Sequence, residues 1–367
     1  MKNKLIVLLF LIQILVFMMG LLYFAPVEIG WRRSSYLLSV LLGTIVFVLV
    51  RTDSRPVHLG VKCVIAACVG VTFMGVLEWT YSLRSRIQSA GFALAAHQWG
   101  RRYWRDNNSG FRDVEWNDPE VLEKRRVLAL GDSFTAGHGI ENVKDRFTEI
   151  LNRSLGSEWK VVNLGKNGND TFSEVKNLRK FPHSVEYLVF SYFGNDIMEV
   201  ALQHGYDIKG LLTPYADLSQ SERYFVERSY LLNYFYWSKP RDDLKNWWER
   251  YRILYADEKV LSAHRAELQE IVDWSKEKRV PMVVVLFPYL HKMEMTSMYS
   301  DFIKQFFNDQ GISVIDVAEL VRDLPVDQLT VNVNDIHPSH EVHRRVGRAL
   351  FEYLSRREPM FKPVSRL

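Results

Sequence analysis

Three long apolar runs occupy the first 83 residues and constrain the fold more than any other feature. Residues 5–24 form a run of 20 in which Gln13 is the only strongly polar side chain. About 20 apolar residues are what a helix needs to cross the hydrocarbon of a bilayer. Residues 36–50 and 63–77 form two further runs, which reach spanning length when their flanks are added. The sequence therefore predicts a membrane region over residues 1–83, with three transmembrane helices at about 5–24, 34–50 and 60–79.

Two other interpretations of these runs remain open. A cleaved signal peptide should have an apolar core of about 7–15 residues followed by a small-x-small site, but the first run is longer and ends in Tyr23-Phe24-Ala25-Pro26. The second and third runs could be buried helices of a soluble protein, although no amphipathic pattern marks a wet face. The only two cysteines, Cys63 and Cys68, lie in the third run. In this run they are interpreted as small apolar residues. Two cysteines in the whole chain are too few for a disulfide framework.

The basic charge belongs to the N-terminal segment. The chain of 367 residues has 47 Lys and Arg against 43 Asp and Glu, but residues 1–86 hold nine of the basic and three of the acidic side chains. The remainder is slightly acidic, which gives no electrostatic reason to expect nucleic acid as a partner. Basic residues are almost equally numerous on the two sides of the predicted spans, so charge does not set the orientation.

From about residue 120 the pattern changes to short apolar runs that alternate with longer amphipathic stretches. The predicted strands are 127–130, 160–164, 187–193, 282–287 and 313–317, and the predicted helices are 146–155, 171–180, 257–277, 297–308 and 340–356. Several strands are apolar on both faces, as in the centre of a parallel sheet. We therefore predict an α/β fold with a doubly wound, mostly parallel five-stranded sheet, in which ligands bind at the carboxyl ends of the strands.

Two loops at predicted strand ends carry candidate functional residues. The segment Gly131-Asp132-Ser133-Phe134-Thr135-Ala136-Gly137 follows the first strand, and such a turn presents a serine hydroxyl beside helical N–H groups. The segment Asn163-Leu164-Gly165-Lys166-Asn167-Gly168-Asn169-Asp170 ends the second strand. Taken singly, the first could be an ordinary helix cap and the second a flexible turn.

Two later loops complete the set. Gly194-Asn195-Asp196 follows the third strand, where an Asn side chain can donate a hydrogen bond into a cleft, although a plain turn has the same composition. Asn334-Asp335-Ile336-His337-Pro338-Ser339 precedes the last helix. A histidine held by a nearby carboxylate can act as a general base, whereas an isolated histidine is more often structural.

The order of these loops resembles the SGNH hydrolase superfamily, the GDSL-type esterases and lipases. The resemblance covers about residues 126–353 and is nearest to bacterial members with a GDSF-T-x-G first block and a D-x-H-P last block. The segment Asn108-Ser109-Gly110-Phe111-Arg112-Asp113 also looks like the lead-in found ahead of the serine in such members. We accordingly predict a linker and lead-in over 84–122, and an SGNH domain over 123–358.

The resemblance implies roles for individual residues. Ser133 would be the nucleophile, His337 would accept its proton, and Asp335 would orient His337. The backbone N–H groups of Ser133 and Gly168 and the side-chain amide of Asn195 would form the oxyanion hole. A serine hydroxyl needs such a base, and each oxyanion donor contributes roughly 3–4 kcal/mol in the transition state. No cofactor is implied, and no cluster has convincing metal-ligand spacing, so we predict no metal.

Two departures from the family pattern bear on these roles. The commonest last block is D-x-x-H, but here Asn334 stands three residues before His337 and Asp335 stands two before it. Either residue could therefore orient the histidine. Phe134 replaces the leucine of GDSL, a packing position that leaves the serine unchanged. Among other histidines, the sequence favours a surface turn for His138 over a cleft position. The resemblance implies a capping or packing role for His343, because the family has a histidine at that place outside the triad.

An aromatic-rich insertion is predicted at about 197–255, with eleven Phe, Trp and Tyr residues between 224 and 255. These rings could cover the cleft, stack on sugars, lie at the membrane interface, or form the small core of a helical cap. The sequence does not choose among them.

The predicted function is that of a membrane-anchored serine ester hydrolase. A membrane-tethered SGNH domain resembles enzymes that edit esters on cell-envelope polysaccharides or glycolipids. The three predicted spans imply a multi-pass protein of the cytoplasmic membrane. The resemblance favours an extracytoplasmic catalytic domain with the N-terminus inside, and partners in envelope-polysaccharide biosynthesis. Three alternatives remain: an O-acyltransferase with the same triad, a lipase or lysophospholipase, and a non-catalytic glycan-binding or assembly protein.

Overall fold

The computed structural model describes residues 2–23, 29–51, 59–84, 92–206, 215, 217–239, 244–358 and 361. Parts of the predicted linker (85–91) and of the predicted insertion (207–214, 216 and 240–243) lie outside the described residues. The chain divides into two units: residues 1–102 with 214–240, and residues 103–213 with 241–367. The domain boundaries predicted from the sequence stay a prediction.

The described helices are, in chain order, α1 Lys2–Met18, α2 Ile29–Arg51, α3 Leu59–Ser82, α4 Leu94–Tyr103, α5 Pro119–Leu122, α6 Ser133–Ala136, α7 Phe147–Leu155, α8 Thr171–Lys180, α9 Met198–Gln203, α10 Gln220–Val226, α11 Tyr230–Trp237, α12 Leu244–Leu254, α13 Glu258–Lys278, α14 Ser297–Asp309, α15 Val317–Leu320 and α16 His340–Arg357. A π-helical turn, Met19–Tyr23, continues α1. Short 3-10 turns lie at Val143–Asp145, Met293–Met295 and Val326–Gln328.

The second unit is built on a five-stranded parallel sheet. Its strands are β1 Arg125–Gly131, β2 Trp159–Gly165, β3 Tyr187–Tyr192, β4 Met282–Leu286 and β5 Val314–Asp316, in the spatial order β2-β1-β3-β4-β5. All four neighbouring pairs are parallel. A separate antiparallel hairpin pairs β6 Thr330–Asn332 with β7 Asp335–Pro338. The predicted α/β class, the parallel sheet and its five strands are confirmed.

Burial explains why apolar runs predict this sheet well. Every residue of β2, β3 and β4 is buried, because helices pack on both faces of a parallel sheet. The chain order reverses between β1 and β3, so connections leave these two strands in opposite directions. Such a switch point opens a crevice at the carboxyl ends of the strands. The loop after β1 and the loop after β3 therefore flank the place where a ligand is expected.

In the first unit, α1, α2 and α3 pack together with apolar side chains outward. Gln13, the polar residue of the first predicted span, is fully buried among them. Its amide nitrogen donates to Thr72 Oγ1 (2.8 Å), and its oxygen accepts from Cys68 Sγ (2.8 Å). Polar side chains that bond across helices are a usual way to join helices whose surfaces are otherwise apolar.

By length and apolarity, two helical segments among the described residues could cross a membrane: Lys4–Leu22 and Gly60–Ser82. They coincide with the first and third predicted spans. The second predicted span, at about 34–50, lies within α2 and is helical, but it is not one of these two. The three-span arrangement and its orientation stay predictions.

Part of the aromatic insertion also belongs to the first unit. Glu78, near the end of α3, is buried and accepts hydrogen bonds from the Ser229 hydroxyl and from the Tyr230 backbone N–H (2.8 Å), so it caps the start of α11. The Arg32 guanidinium stacks on the Tyr230 ring at 4.5 Å. Further along α11, Phe235 is exposed and Trp237 is buried. The described part of the insertion thus has rings that pack against residues outside it, such as Tyr230, and exposed rings such as Phe235.

Candidate active site

Ser133 lies at the carboxyl end of β1, where a buried strand turns into the one-turn helix α6. Asp132 caps that helix, because its carboxylate accepts the backbone N–H of Phe134 (2.8 Å). Gly131 has no room for a side chain, since a Cβ there would collide with Thr135. The turn is therefore a helix cap and, at the same time, a tight elbow that presents the Ser133 hydroxyl.

The His337 side chain reaches this hydroxyl from the hairpin strand β7. His337 Nε2 lies 2.8 Å from Ser133 Oγ, and its Nδ1 lies 2.5 Å from Asp335 Oδ1. The same carboxylate oxygen accepts the backbone N–H of His337 (3.1 Å). Asn334, which occupies the D-x-x-H position, donates its backbone N–H to the Asn332 side chain instead (3.0 Å). The carboxylate that contacts the histidine is therefore that of Asp335.

The charges around these groups suit a general base held by an ionised carboxylate. Burial opposes ionisation of Asp335, but the charge and hydrogen bonds of His337 outweigh it and lower the pKa of Asp335 to about 2. At Asp132 burial is the larger effect: it raises the pKa of this carboxyl to about 6, although the hydrogen bond from the Phe134 backbone N–H lowers it. The pKa values of two buried carboxyls near Ser133 are thus shifted in opposite directions, that of Asp132 upward and that of Asp335 downward.

The candidate oxyanion donors follow three neighbouring strands. Ser133 comes after β1, Gly168 after β2 and Asn195 after β3, and parallel strands end at the same edge of the sheet. Gly168 has φ +75°, in the left-handed region that favours glycine. Gly165, in the same loop, approaches the backbone of α6 so closely that a Cβ would collide with Ala136. This contact brings the second loop against the serine turn.

The lead-in segment holds the loop that follows the serine. Arg112 is buried and donates to the backbone oxygens of Gly137 (2.7 Å) and Ile140 (2.7 Å). Its neighbour Asp113 accepts the backbone N–H of Asn163 (2.7 Å) from β2. Two adjacent side chains therefore join the first and second loops, which gives a physical reason for this motif to precede the serine.

Two histidines near the site were not expected there. His138 lies in the turn after α6, but its side chain is not at the surface: it is 12 % exposed, and its ring centroid is 4.2 Å from that of His337. His291, in the loop after β4, is close enough for Asp335 and His337 to act on its charge, and burial lowers its pKa. The position of His138 five residues after Ser133 was an available signal, whereas nothing in the sequence marks His291.

His343 is fully buried in α16 and has a structural contact. Its Nδ1 accepts the backbone N–H of Phe147 (3.2 Å), the first residue of α7, where Arg146 makes no side-chain cap. This contact is of the capping kind that the sequence favours for it.

Among the described residues, one group of three side chains could hold a metal ion by spacing alone: His138, Asp335 and His337. Two of the three are already joined by the 2.5 Å hydrogen bond of the Ser133 cluster. A histidine that contacts both a carboxylate and a serine hydroxyl is arranged for proton transfer. The prediction of no metal stays a prediction.

No curated protein sequence matches the chain. Among solved structures, a carbohydrate acetylesterase family member from Sinorhizobium meliloti is 15% identical, with 65% of this chain and 99% of that chain covered at a TM-score of 0.39. A member of the lipolytic protein G-D-S-L family from Veillonella parvula DSM 2008 is 14% identical, with 63% and 99% covered at a TM-score of 0.40.

The family assignment rests on a family model. The model of the GDSL-like lipase/acylhydrolase family matches residues 129–345, which is more than half of the chain and includes all four loops. The chain therefore belongs to the GDSL-like lipase/acylhydrolase family and is an ester-bond hydrolase.

Proposed function

We propose that the protein hydrolyses esters through an acyl-serine intermediate formed on Ser133. The observation that carries the proposal is the continuous series of contacts from Ser133 Oγ to His337 Nε2 (2.8 Å) and from His337 Nδ1 to Asp335 Oδ1 (2.5 Å). In this mechanism His337 takes the serine proton as Oγ attacks the ester carbonyl. The same proton then goes to the departing alcohol.

The negative oxygen of the tetrahedral intermediate would be stabilised by the backbone N–H groups of Ser133 and Gly168 and by the Asn195 amide. The positive φ of Gly168 supports this assignment, because such a turn can direct its N–H into a cleft. Water, activated by His337, would then attack the acyl-serine and release the acid.

We further propose that the substrate is an O-acetyl or other O-acyl group on a cell-envelope polysaccharide or glycolipid. Support comes from the two apolar helical segments that precede the catalytic unit in the chain. A chain anchored by them would work on substrates at a membrane surface. Membrane anchoring through several spans, with the catalytic unit outside the cytoplasmic membrane, belongs to the same proposal.

A fluorophosphonate probe tests the nucleophile without knowledge of the substrate. The full-length protein in detergent micelles should be labelled, and the Ser133→Ala variant should not. Labelling that is equal in both proteins, or absent from a folded wild type, would contradict the acyl-serine mechanism and favour a glycan-binding protein.

The substrate class needs a product assay. O-acetylated envelope polysaccharide should release acetate in the presence of wild type but not of Ser133→Ala. Transfer of the acetyl group to an added acceptor glycan would indicate an O-acyltransferase instead, and release of fatty acid from phospholipid would indicate a lipase. Protease accessibility of the catalytic unit in intact cells, compared with lysed cells, tests its side of the membrane.

A further inference from the structure

The two carboxylate oxygens of Asp335 have different surroundings. Oδ1 accepts two hydrogen bonds from His337, one from the ring and one from the backbone. Oδ2 is buried and has no hydrogen-bond partner among the described residues. A buried carboxylate oxygen without a donor loses its hydration and gains nothing in return. A nearby donor that could approach Oδ2 would therefore matter to the whole series of contacts.

His138 is the side chain that faces this oxygen. Its Nε2 lies 3.9 Å from Asp335 Oδ2. Its ring centroid lies 4.2 Å from that of His337 and 6.0 Å from that of Trp104, so neighbouring rings leave it room for small movements only. The backbone N–H of His138 also donates to Ser133 O (3.0 Å), so the loop is tied to the serine turn.

The hydrogen on the His138 ring is directed by Asn167. The Asn167 amide nitrogen lies 2.9 Å from His138 Nδ1, and an amide nitrogen can only donate. Nδ1 is then the acceptor, which leaves the single hydrogen of the neutral ring on Nε2, the atom nearest Asp335. Burial, reinforced by the charge of His337, lowers the pKa of His138 to about 3, so the ring is neutral at working pH.

We propose that His138 is a positioning residue that donates from Nε2 to Asp335 Oδ2 and so fixes the carboxylate that orients His337. A movement of about 1 Å closes the 3.9 Å separation, and catalytic hydrogen bonds often tighten only when substrate binds. The inference rests on the proposed role of Ser133, His337 and Asp335. Because Asn167 precedes Gly168, the same contacts connect the carboxylate to the proposed oxyanion loop.

The other charged groups around this pair are few. The charge of His337 interacts with Asp335, the charges of Asp335 and His291 interact with each other, and the charge of Arg112 interacts with His138. Among the described residues none of these side chains donates a hydrogen bond to Oδ2, whereas His138 Nε2 lies within an ångström of hydrogen-bond distance. His138 therefore differs from them in geometry, and substitution at this one position can separate its role from theirs.

The test compares His138→Phe with His138→Gln in the full-length protein, with p-nitrophenyl acetate as the ester. Phe keeps an aromatic ring against His337 but has no donor, whereas Gln keeps an N–H donor. We expect kcat to fall by about tenfold to hundredfold in His138→Phe, the range for a hydrogen bond to a charged group. KM should stay within about twofold, because the lost interaction acts on the chemical step. His138→Gln should recover most of kcat.

The pH profile separates positioning from packing. Without a donor on Oδ2, the Asp335 charge acts more strongly on a protonated His337, so the acid limb of kcat/KM should move to higher pH in His138→Phe. His343→Phe, which removes another buried histidine, should change the melting temperature and leave the limb where it is. Asn167→Ala should show the same displacement as His138→Phe, but smaller.

Two results would overturn the inference. One is an unmoved acid limb in a folded His138→Phe protein, and the other is an equal loss of kcat in the Phe and Gln variants, which would show that the ring only packs. Failure of the proposed function is distinguishable, because the wild type itself would then resist the fluorophosphonate probe.

Discussion

Buried polar side chains have structural contacts in the first unit of this chain, and contacts that lead to a candidate nucleophile in the second. In the first unit, the polar atoms of Gln13 and the carboxylate of Glu78 are bonded inward to neighbouring helices. In the second unit, Asp335 and His337 are also buried, but their contacts lead to Ser133 at the end of β1. Burial of polar groups is therefore not itself a sign of catalysis. The sign is a series of contacts that ends on a nucleophile.

The sharpest test of this difference lies in the last loop. Asp335→Asn should lower kcat by roughly 10⁴-fold, because the amide can favour the wrong tautomer of His337. Asn334→Ala is the matched control and should change kcat only about twofold, since the Asn334 hydrogen bond to Asn332 comes from the backbone N–H, which alanine keeps. Comparable losses in the two variants, measured with p-nitrophenyl acetate, would show that the orienting group has been misassigned.

The second test concerns the oxyanion loop. Gly168→Ala should lower kcat by up to about 10²-fold, because an alanine at φ +75° strains the turn and displaces one of the donors. Gly311→Ala is a control with nearly the same backbone, since Gly311 has φ +73° and open space around it, but it lies between α14 and β5. Both variants should lose stability, and only the first should lose kcat without an equal change in KM.

The third test moves to the first unit. Glu78→Leu removes the acceptor of two donors at the start of α11, and a buried donor left without a partner costs about 1–3 kcal/mol. Trypsin should then cut after Arg223 or Arg228 about tenfold faster or more, because the open form is more populated. Leu232→Ala, an exposed change in α11, should leave the cleavage rate as in wild type. Slow cleavage of Glu78→Leu would argue against the capping role.

The sequence predicts the sheet better than it predicts the site. All five strands were expected within two residues of their observed ends, because each is a short, mostly apolar run between longer amphipathic stretches. The order of the four loops was enough to suggest the family. His138 was misjudged because its environment comes from Asp335 and Asn167, which are distant in the chain. Such contacts leave no periodic pattern to read.

The membrane region marks another limit of sequence reasoning. Apolar length predicts helices over the first 83 residues, and the described parts of these segments are helical. The pairing of Glu78 with Ser229 and Tyr230 joins residues about 150 positions apart, so it could not be anticipated from a local pattern. Hydropathy thus identifies the helices, but not which polar groups join them to the insertion.

The smallest expected effect is a change in the pH dependence of stability, and it concerns a buried carboxyl of the second unit that has no contact with Ser133. Glu174 is fully buried in α8, and neither of its oxygens has a hydrogen-bond partner among the described residues. Burial, together with the charges of Asp132 and Asp170, raises its pKa well above the usual value. A carboxyl whose pKa is raised by folding stabilises the fold while it is protonated, and that contribution is lost as the pH rises toward the folded-state pKa.

Glu174→Gln removes the ionisable group and nearly keeps the shape of the side chain. The variant should therefore lose less stability than the wild type as the pH rises. The wild type should melt at a lower temperature at pH 8 than at pH 5, and the variant should shrink that difference by a few degrees, about 2–4 °C for each kcal/mol relieved. Glu277→Gln, at an exposed position of α13, should leave the difference unchanged. If the two variants behave alike, Glu174 is not the group that couples stability to pH. If they differ, Glu174 couples stability to pH because it is buried without hydrogen-bond partners. Asp335 is buried as well, but it stays ionised because His337 contacts it.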